Sequence, residues 1–236
     1  MDEFSGHLTT PTADRPLMGM TVLVVEDSRY ASDALRLMCL KSGARIRRAD
    51  CLASAHRHLR VYRPSVAIID LGLPDGSGLA LIRELNAASP RVEALLAMSG
   101  DAHLGPAARA AGADRFLAKP LMSLAAFQQA VLGVLPRDKQ PDVLRALPVS
   151  KIVPDHIAFL DDLSHAADLL IGTPDRATLS YVAQFLSGVA RSAGDTALIR
   201  STDHLLSALY KNKESAPHLA LLTTLLSGHL DKREAV

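Results

Sequence analysis

The sequence predicts an α/β fold, a doubly wound five-stranded parallel sheet, followed by an all-α helical region. Three observations carry this. Short apolar runs alternate with amphipathic stretches through residues 20–135. Four of those runs stop at a polar or charged residue: 22–25 at Glu26-Asp27, 66–69 at Asp70, 94–98 at Ser99, and 116–118 at Lys119-Pro120. Beyond residue 155 strand periodicity disappears and apolar residues recur only at helical spacing.

Taken in order, residues 1–19 carry Thr, Pro, Gly and charge without periodicity and are expected to form a flexible leader. Strands are predicted at 21–25, 44–48, 66–69, 93–98 and 115–118, and helices at 28–42, 51–62, 77–88, 103–111 and 122–135. Short connections between alternating elements imply right-handed crossovers and helices on both faces of the sheet. Gly43, Gly78 and Gly112 fall at the turns and tight contacts of this layout. The second strand and helix are basic, with Arg45, Arg47, Arg48, Arg57, Arg60 and Arg63 beside His56 and His58; a solvated face is the main expectation, an anionic partner surface the alternative. Residues 136–154 open on Pro136 and a charged, breaker-rich stretch to Pro141, and read as a linker.

Residues 155–236 then show apolar positions at helical spacing in four groups, the last being Leu219, Leu222, Leu225, Leu226 and Leu230. Gly172, Gly194 and the stretch 211–215 separate them, and Thr173-Pro174 is expected to start the second helix. Four short amphipathic helices follow, as a bundle or a dimerising unit.

With 236 residues the chain has room for two domains, and 48% apolar content supports a sizeable core. No apolar run approaches the ~20 residues of a membrane span, so no membrane association is expected. The polar, acidic start Met-Asp-Glu-Phe does not resemble a secretory signal. Cys39 and Cys51 fall in predicted helices without metal-type spacing, which suits a reducing, cytoplasmic compartment. A net charge of +1 gives no general attraction to nucleic acid.

Each polar strand end has an ordinary reading. Glu26-Asp27 suits the N-terminus of a helix beginning near Ser28; Ser99 before Gly100 suits a turn; Lys119 suits an exposed strand end. An acid at the carboxyl edge of a buried parallel strand, however, stands where open α/β sheets do their chemistry. Together with the Leu73-Pro-Asp-Gly-Ser-Gly78 loop and the Lys119-Pro120 pair, the five positions give residues 20–135 a clear resemblance to the receiver domain of bacterial two-component response regulators.

That resemblance implies a flavodoxin-like strand order 2-1-3-4-5. It implies that Asp70 is the phosphoacceptor and that Mg2+ is held by Glu26, Asp27, Asp70 and the main-chain carbonyl of Gly72, hard oxygen donors that suit this ion. Lys119 and Ser99 would bind the phosphoryl group, and Phe116 would take the place of the family's switch aromatic. The phosphoryl donor would be a histidine kinase or a histidine phosphotransfer protein. The chain would be a signalling phosphoprotein and no enzyme beyond self-catalysed phosphotransfer and dephosphorylation at Asp70.

From Lys151 onward eight basic residues stand against ten acidic ones, a net of −2. Because phosphate contacts dominate DNA affinity, a nucleic-acid-binding output is not expected. The leucine-rich fourth segment suggests instead a homodimer or a protein partner. One alternative remains, a phosphorelay module centred on His165 in Leu163-Ser-His165. On a helical wheel His165 falls with Asp161, Asp162 and Asp168, opposite the leucines. It is faintly similar to a phosphotransfer helix, but Ala166 and Asp168 depart from that pattern, the latter with a charge that would repel a phosphoryl group.

Overall fold

In the computed structural model, residues 10–121, 123–141 and 152–234 are described. They divide into two compact units.

The first unit takes residues up to Asp27 and Ser32–Val153. Its elements are β1 (Thr21–Val25), most of α1 (Arg29–Lys41), β2 (Arg45–Ala49), α2 (Leu52–Val61), β3 (Val66–Asp70), a small hairpin of β4 (Gly72–Leu73) and β5 (Gly76–Ser77), α3 (Gly78–Ala87), β6 (Ala94–Ser99), α4 (Gly105–Ala110), β7 (Arg115–Ala118) and α5 (Leu124–Leu132). The sheet order is β2-β1-β3-β6-β7, all parallel, which is the expected 2-1-3-4-5 once the hairpin is set aside. The hairpin was not foreseen: two-residue strands in a Gly-rich loop carry no periodicity.

Because successive strand side chains point to opposite faces, β1 feeds both cores. Val22 and Val24 pack with Met38 and Phe127 on one face, while Leu23 and Val25 pack with Ala55 and Leu81 on the other. β3 does the same with Val66 and Ile68 against Ala67 and Ile69, which is why its sequence is continuously apolar. Each of the larger side chains, the valines, leucines and isoleucines, contributes about 1.5–3 kcal/mol by leaving water. Cys39 lies in the first of these cores, where burial pushes its thiol up to about 12. Cys51 stands just outside α2 rather than in it, and its sulfur accepts the Ser54 N–H as the N-cap. The arginines of β2 and α2 are exposed, as a solvated face requires.

Two expectations about the edges of this unit need correction. The leader was expected to be flexible through residue 19, but Leu17 is fully buried in the core and its N–H donates to Ser42 O at 2.8 Å; a single leucine among turn residues carries no periodic signal. In the linker, Gln140 donates to the carbonyls of Leu132 and Leu135, and Ile152 is buried in the same core as Leu17. Residues 1–9 and 142–151 lie outside the described residues.

The second unit takes residues 28–31 and 154–236. It contains the start of α1 and the four expected helices: α6 (His156–Leu169), α7 (Arg176–Ala193), α8 (Thr196–Tyr210) and α9 (Ala216–Glu234). Three of them start on an aspartate whose side chain accepts helix N–H groups: Asp155 from Ile157, Asp175 from Thr178, and Asp195 from Ala197 and Leu198. Asp175 therefore starts α7 and Thr173-Pro174 does not; the carboxylate two residues downstream reaches the free N–H groups. The leucine stripe of α9 is also reassigned. Leu222 and Leu226 are buried in this unit's own core and Leu219, Leu225 and Leu230 pack against it, so these side chains do not form a free apolar face.

Candidate functional site

The polar residues at the strand ends converge. Glu26 follows β1, and its N–H donates to Ala49 O at 2.9 Å, which fixes it against β2. Asp27 comes next, and Asp70 closes β3. Ser99 closes β6, and Lys119 follows β7 with its N–H donating to Ser99 O at 2.9 Å. Carboxylate oxygens of Glu26, Asp27 and Asp70 lie within 4.8 Å of one another. Lys119 Nζ reaches Glu26 Oε2 at 2.7 Å and Asp70 Oδ1 at 3.1 Å, with the ammonium and both carboxylates almost wholly buried.

Charge decides the behaviour of this cluster. Burial pushes the Glu26 carboxyl well above its ordinary value, Lys119 pulls it back in part, and Asp70 and Asp27 push it up again. For Lys119 burial alone would pull the ammonium down, but Asp70 and Glu26 outweigh it and hold the group protonated, above its ordinary range. One ammonium thus faces three carboxylates. The residual negative charge, the hard oxygen donors and the close spacing are what a small divalent cation requires, so these residues fit Mg2+.

The loop after Asp70 is shaped by the same constraints. A Cβ at Gly78 would sit 1.9 Å from the main-chain oxygen of Asp70, so only glycine lets α3 begin against the end of β3. Gly72 lies beside the site, a Cβ there falling 3.9 Å from Asp70 Oδ2. Asp75 accepts the N–H groups of Leu52 and Ala53 at 2.8 and 2.9 Å and so ties the loop to the start of α2. That anchoring role was not read from the sequence, where Asp75-Gly76 signals only a turn.

Ser99 is buried, and its Oγ accepts the Asp101 N–H at 3.1 Å. Phe116, on the outer strand β7, is half-buried and packs with the core that contains Ala108; its ring lies 3.6 Å from the position of a Gly105 Cβ, at the start of α4. Ser28 caps α1, its hydroxyl accepting the Ala31 N–H at 3.0 Å, while Glu26 and Asp27 belong to the acidic cluster.

His165 is apart from this cluster in sequence and belongs to the second unit. It is exposed on α6, with its ring edge-on to Phe185, and Asp168 is exposed on the same helix. Asp162, expected on that solvated face, is instead buried, 2% exposed. An acid placed on the polar side of a helical wheel is drawn inward when partners for its oxygens exist, and here they do.

With this geometry in place, the comparisons with known proteins are specific. Residues 22–131 match the family described as the response regulator receiver domain, and this part of the chain is a receiver domain. The chain is 32% identical over 102 residues to the virulence transcriptional regulatory protein PhoP of Salmonella typhimurium, covering 43% of this chain and 46% of that protein. It is 35% identical over 99 residues to the KDP operon transcriptional regulatory protein KdpE of Escherichia coli, covering 42% and 44%. The match thus spans a little under half the length of these curated relatives. Among solved structures, a response regulator of Burkholderia pseudomallei with a phosphorylated aspartic acid, calcium ion and citrate is 26% identical and covers 48% of this chain and 66% of its own, with a TM-score of 0.44. The helices of the second unit from Pro154 onward lie outside the segment that matches the family.

Proposed function

We propose that the chain is a two-component response regulator in which Asp70 accepts a phosphoryl group in a Mg2+-dependent reaction and the helical unit carries the response without binding DNA. The observation that carries this reading is the meeting of Glu26, Asp27, Asp70 and Lys119 in one cluster at the carboxyl edge of a receiver sheet.

An Asp70 carboxylate oxygen attacks the phosphorus of a phosphohistidine on a histidine kinase or phosphotransfer protein. The P–N bond breaks as the P–O bond forms, leaving an aspartyl acyl phosphate, and the departing imidazole takes up a proton. Glu26, Asp27, Asp70 and the Gly72 carbonyl would hold the cation, which would supply positive charge to offset the negative charge of the incoming phosphoryl oxygens. Lys119 exchanges part of its contact with Asp70 for a phosphoryl oxygen, and Ser99 donates its hydroxyl to another. Phe116 then follows Ser99 inward and alters the face beside α4. The chain needs no other enzymatic activity for this role.

A helical unit with eight basic residues against ten acidic ones supplies little for phosphate contacts. Arg191, moreover, is engaged by both oxygens of Asp203 at 2.7 and 3.0 Å. The response is assigned instead to protein contact, with a second copy of the chain or another protein. No helix among the described residues is long and apolar enough to cross a membrane. A cytoplasmic setting accords with the two free thiols. Incubation with labelled acetyl phosphate and Mg2+ tests the assignment: Asp70→Asn and excess chelator should each abolish labelling. Label that persists on Asp70→Asn, is lost in acid and survives base would point to a phosphohistidine, His165 or another, and overturn the reading; persisting base-labile label would point to another carboxylate and overturn it equally.

A further inference from the structure

The first residue of α1 is held by a residue 133 positions away from it in the chain. A helix start leaves N–H groups without intrahelical acceptors, and a nearby Ser, Thr, Asp or Asn ordinarily serves them. Ser28 serves Ala31 in this way. The remaining donors go to Asp162: Arg29 N–H to Oδ1 at 2.8 Å, Tyr30 N–H to Oδ2 at 3.0 Å, and the Ser28 hydroxyl to Oδ2 at 2.7 Å. The carboxylate is buried, and both of its oxygens are engaged.

The arrangement is reinforced around it. The Tyr30 ring stands edge-on to Phe159 at 5.8 Å and is buried in the core formed by the helices of the second unit. Asp161 adds an ion pair to Arg29 at 2.8 Å, though the arginine side chain is 67% exposed and the pair correspondingly weak. Residues 28–31 thus belong to the helical unit by packing as well as by hydrogen bonding. By sequence they begin one peptide bond after Asp27, a member of the acidic cluster.

We propose that Asp162 is a positioning residue for cation binding: by fixing the backbone from Ser28 onward it restricts Glu26 and Asp27 to the conformation that binds Mg2+, and so couples the helical unit to the phosphorylation site. The proposal rests on the reading of the acidic cluster as a Mg2+ site. Two consequences follow. Without the cap the backbone must be ordered when the ion binds, which lowers affinity. Since coupling between binding events is reciprocal, Mg2+ must in turn strengthen the hold of the helical unit on residues 28–31.

The test uses the full chain. Amide hydrogen exchange of residues 28–31 and Mg2+ affinity by titration calorimetry are measured for the wild type, Asp162→Asn, the milder Ser28→Ala, and the control Asp161→Asn. Asp162→Asn should speed exchange at Arg29 and Tyr30 and weaken Mg2+ binding by about fivefold or more. Ser28→Ala should shift both in the same direction by less, and Asp161→Asn should match the wild type. In the wild type, Mg2+ should slow exchange at 28–31. Faster exchange with unchanged Mg2+ affinity in both Asp162→Asn and Ser28→Ala would make the cap purely structural and overturn the coupling alone. A wild-type chain that takes up no Mg2+ would overturn the reading of the acidic cluster, and the coupling with it.

Discussion

Lys119→Met removes the one ammonium that pairs with both Glu26 and Asp70 while keeping a side chain of similar length. Its contacts at 2.7 and 3.1 Å are almost wholly shielded from water, so the screening that makes surface pairs weak does not apply. Removing one partner of a buried ion pair costs about 3–5 kcal/mol, because the remaining charge is left uncompensated. Two carboxylates lose their partner here, but Glu26 is already pushed toward its protonated form and can relieve part of the cost by taking up a proton. A loss near the lower end, about 3 kcal/mol, is therefore expected in chelator at neutral pH. At about 2–4 °C per kcal/mol that is a drop in melting temperature of roughly 6–12 °C for the receiver transition. Circular dichroism melts of the full chain, with chelator and with millimolar Mg2+, provide the measurement. Mg2+ should restore most of the loss, because the ion supplies the missing positive charge, and adding Glu26→Gln to Lys119→Met should also restore part of it. A loss below about 1 kcal/mol, or one insensitive to both Mg2+ and Glu26→Gln, would refute the claim that charge balance governs this cluster.

Three further outcomes follow from the same geometry. The raised Glu26 carboxyl means that the folded state binds more protons than the unfolded chain above its ordinary 4.5, so this group's contribution to stability falls as pH rises through that window in chelator; a cation requires the ionised form, so the gain in melting temperature on adding Mg2+ should grow between about pH 5 and pH 8. Ser99→Ala should leave Asp70 labelling largely intact yet abolish any phosphorylation-dependent change in hydrogen exchange over residues 105–118 or in oligomeric state by light scattering; survival of that change would remove Ser99 and Phe116 from the path. Gly78→Ala forces a Cβ to within 1.9 Å of the Asp70 carbonyl oxygen, and should cost about 2–3 kcal/mol in urea unfolding and reduce Asp70 labelling as β3 shifts.

The receiver was legible because its physics is periodic and local. Strands buried on both faces must be continuously apolar, so the end of each run is visible in sequence, and the four ends mark one edge of the sheet. Short crossovers of fixed hand implied a parallel sheet with helices on both faces, and the resemblance to the receiver family implied its strand order. The details that escaped have no such regularity. Leu17 stands in a short stretch of proline, glycine and methionine without periodicity, and the two strands of the β4–β5 hairpin have two residues each. Asp75 looks like a turn residue, and nothing nearby shows that its carboxylate meets the start of α2.

The helical unit was legible in its elements and misleading in its faces. A helical wheel sorts residues by polarity and assumes that every acid seeks water. Asp162 breaks that assumption because three donors at residues 28–30 satisfy it better than a shared surface would. The α9 leucines break it in the other direction: taken alone the helix has more apolar surface than one stripe requires, but Leu222 and Leu226 fill the unit's core while Leu221 is left half exposed. Both errors have one cause. Whether a face is buried is decided by residues distant in sequence, and neither the segment at 28–31 nor the packing of α6, α7 and α8 is encoded in the spacing of α9 or the neighbours of His165. The exposed position of His165 survives this correction, while its polar face is reduced: one of the three acids is turned inward to hold the start of α1, and Asp168 remains outside as a repulsive charge.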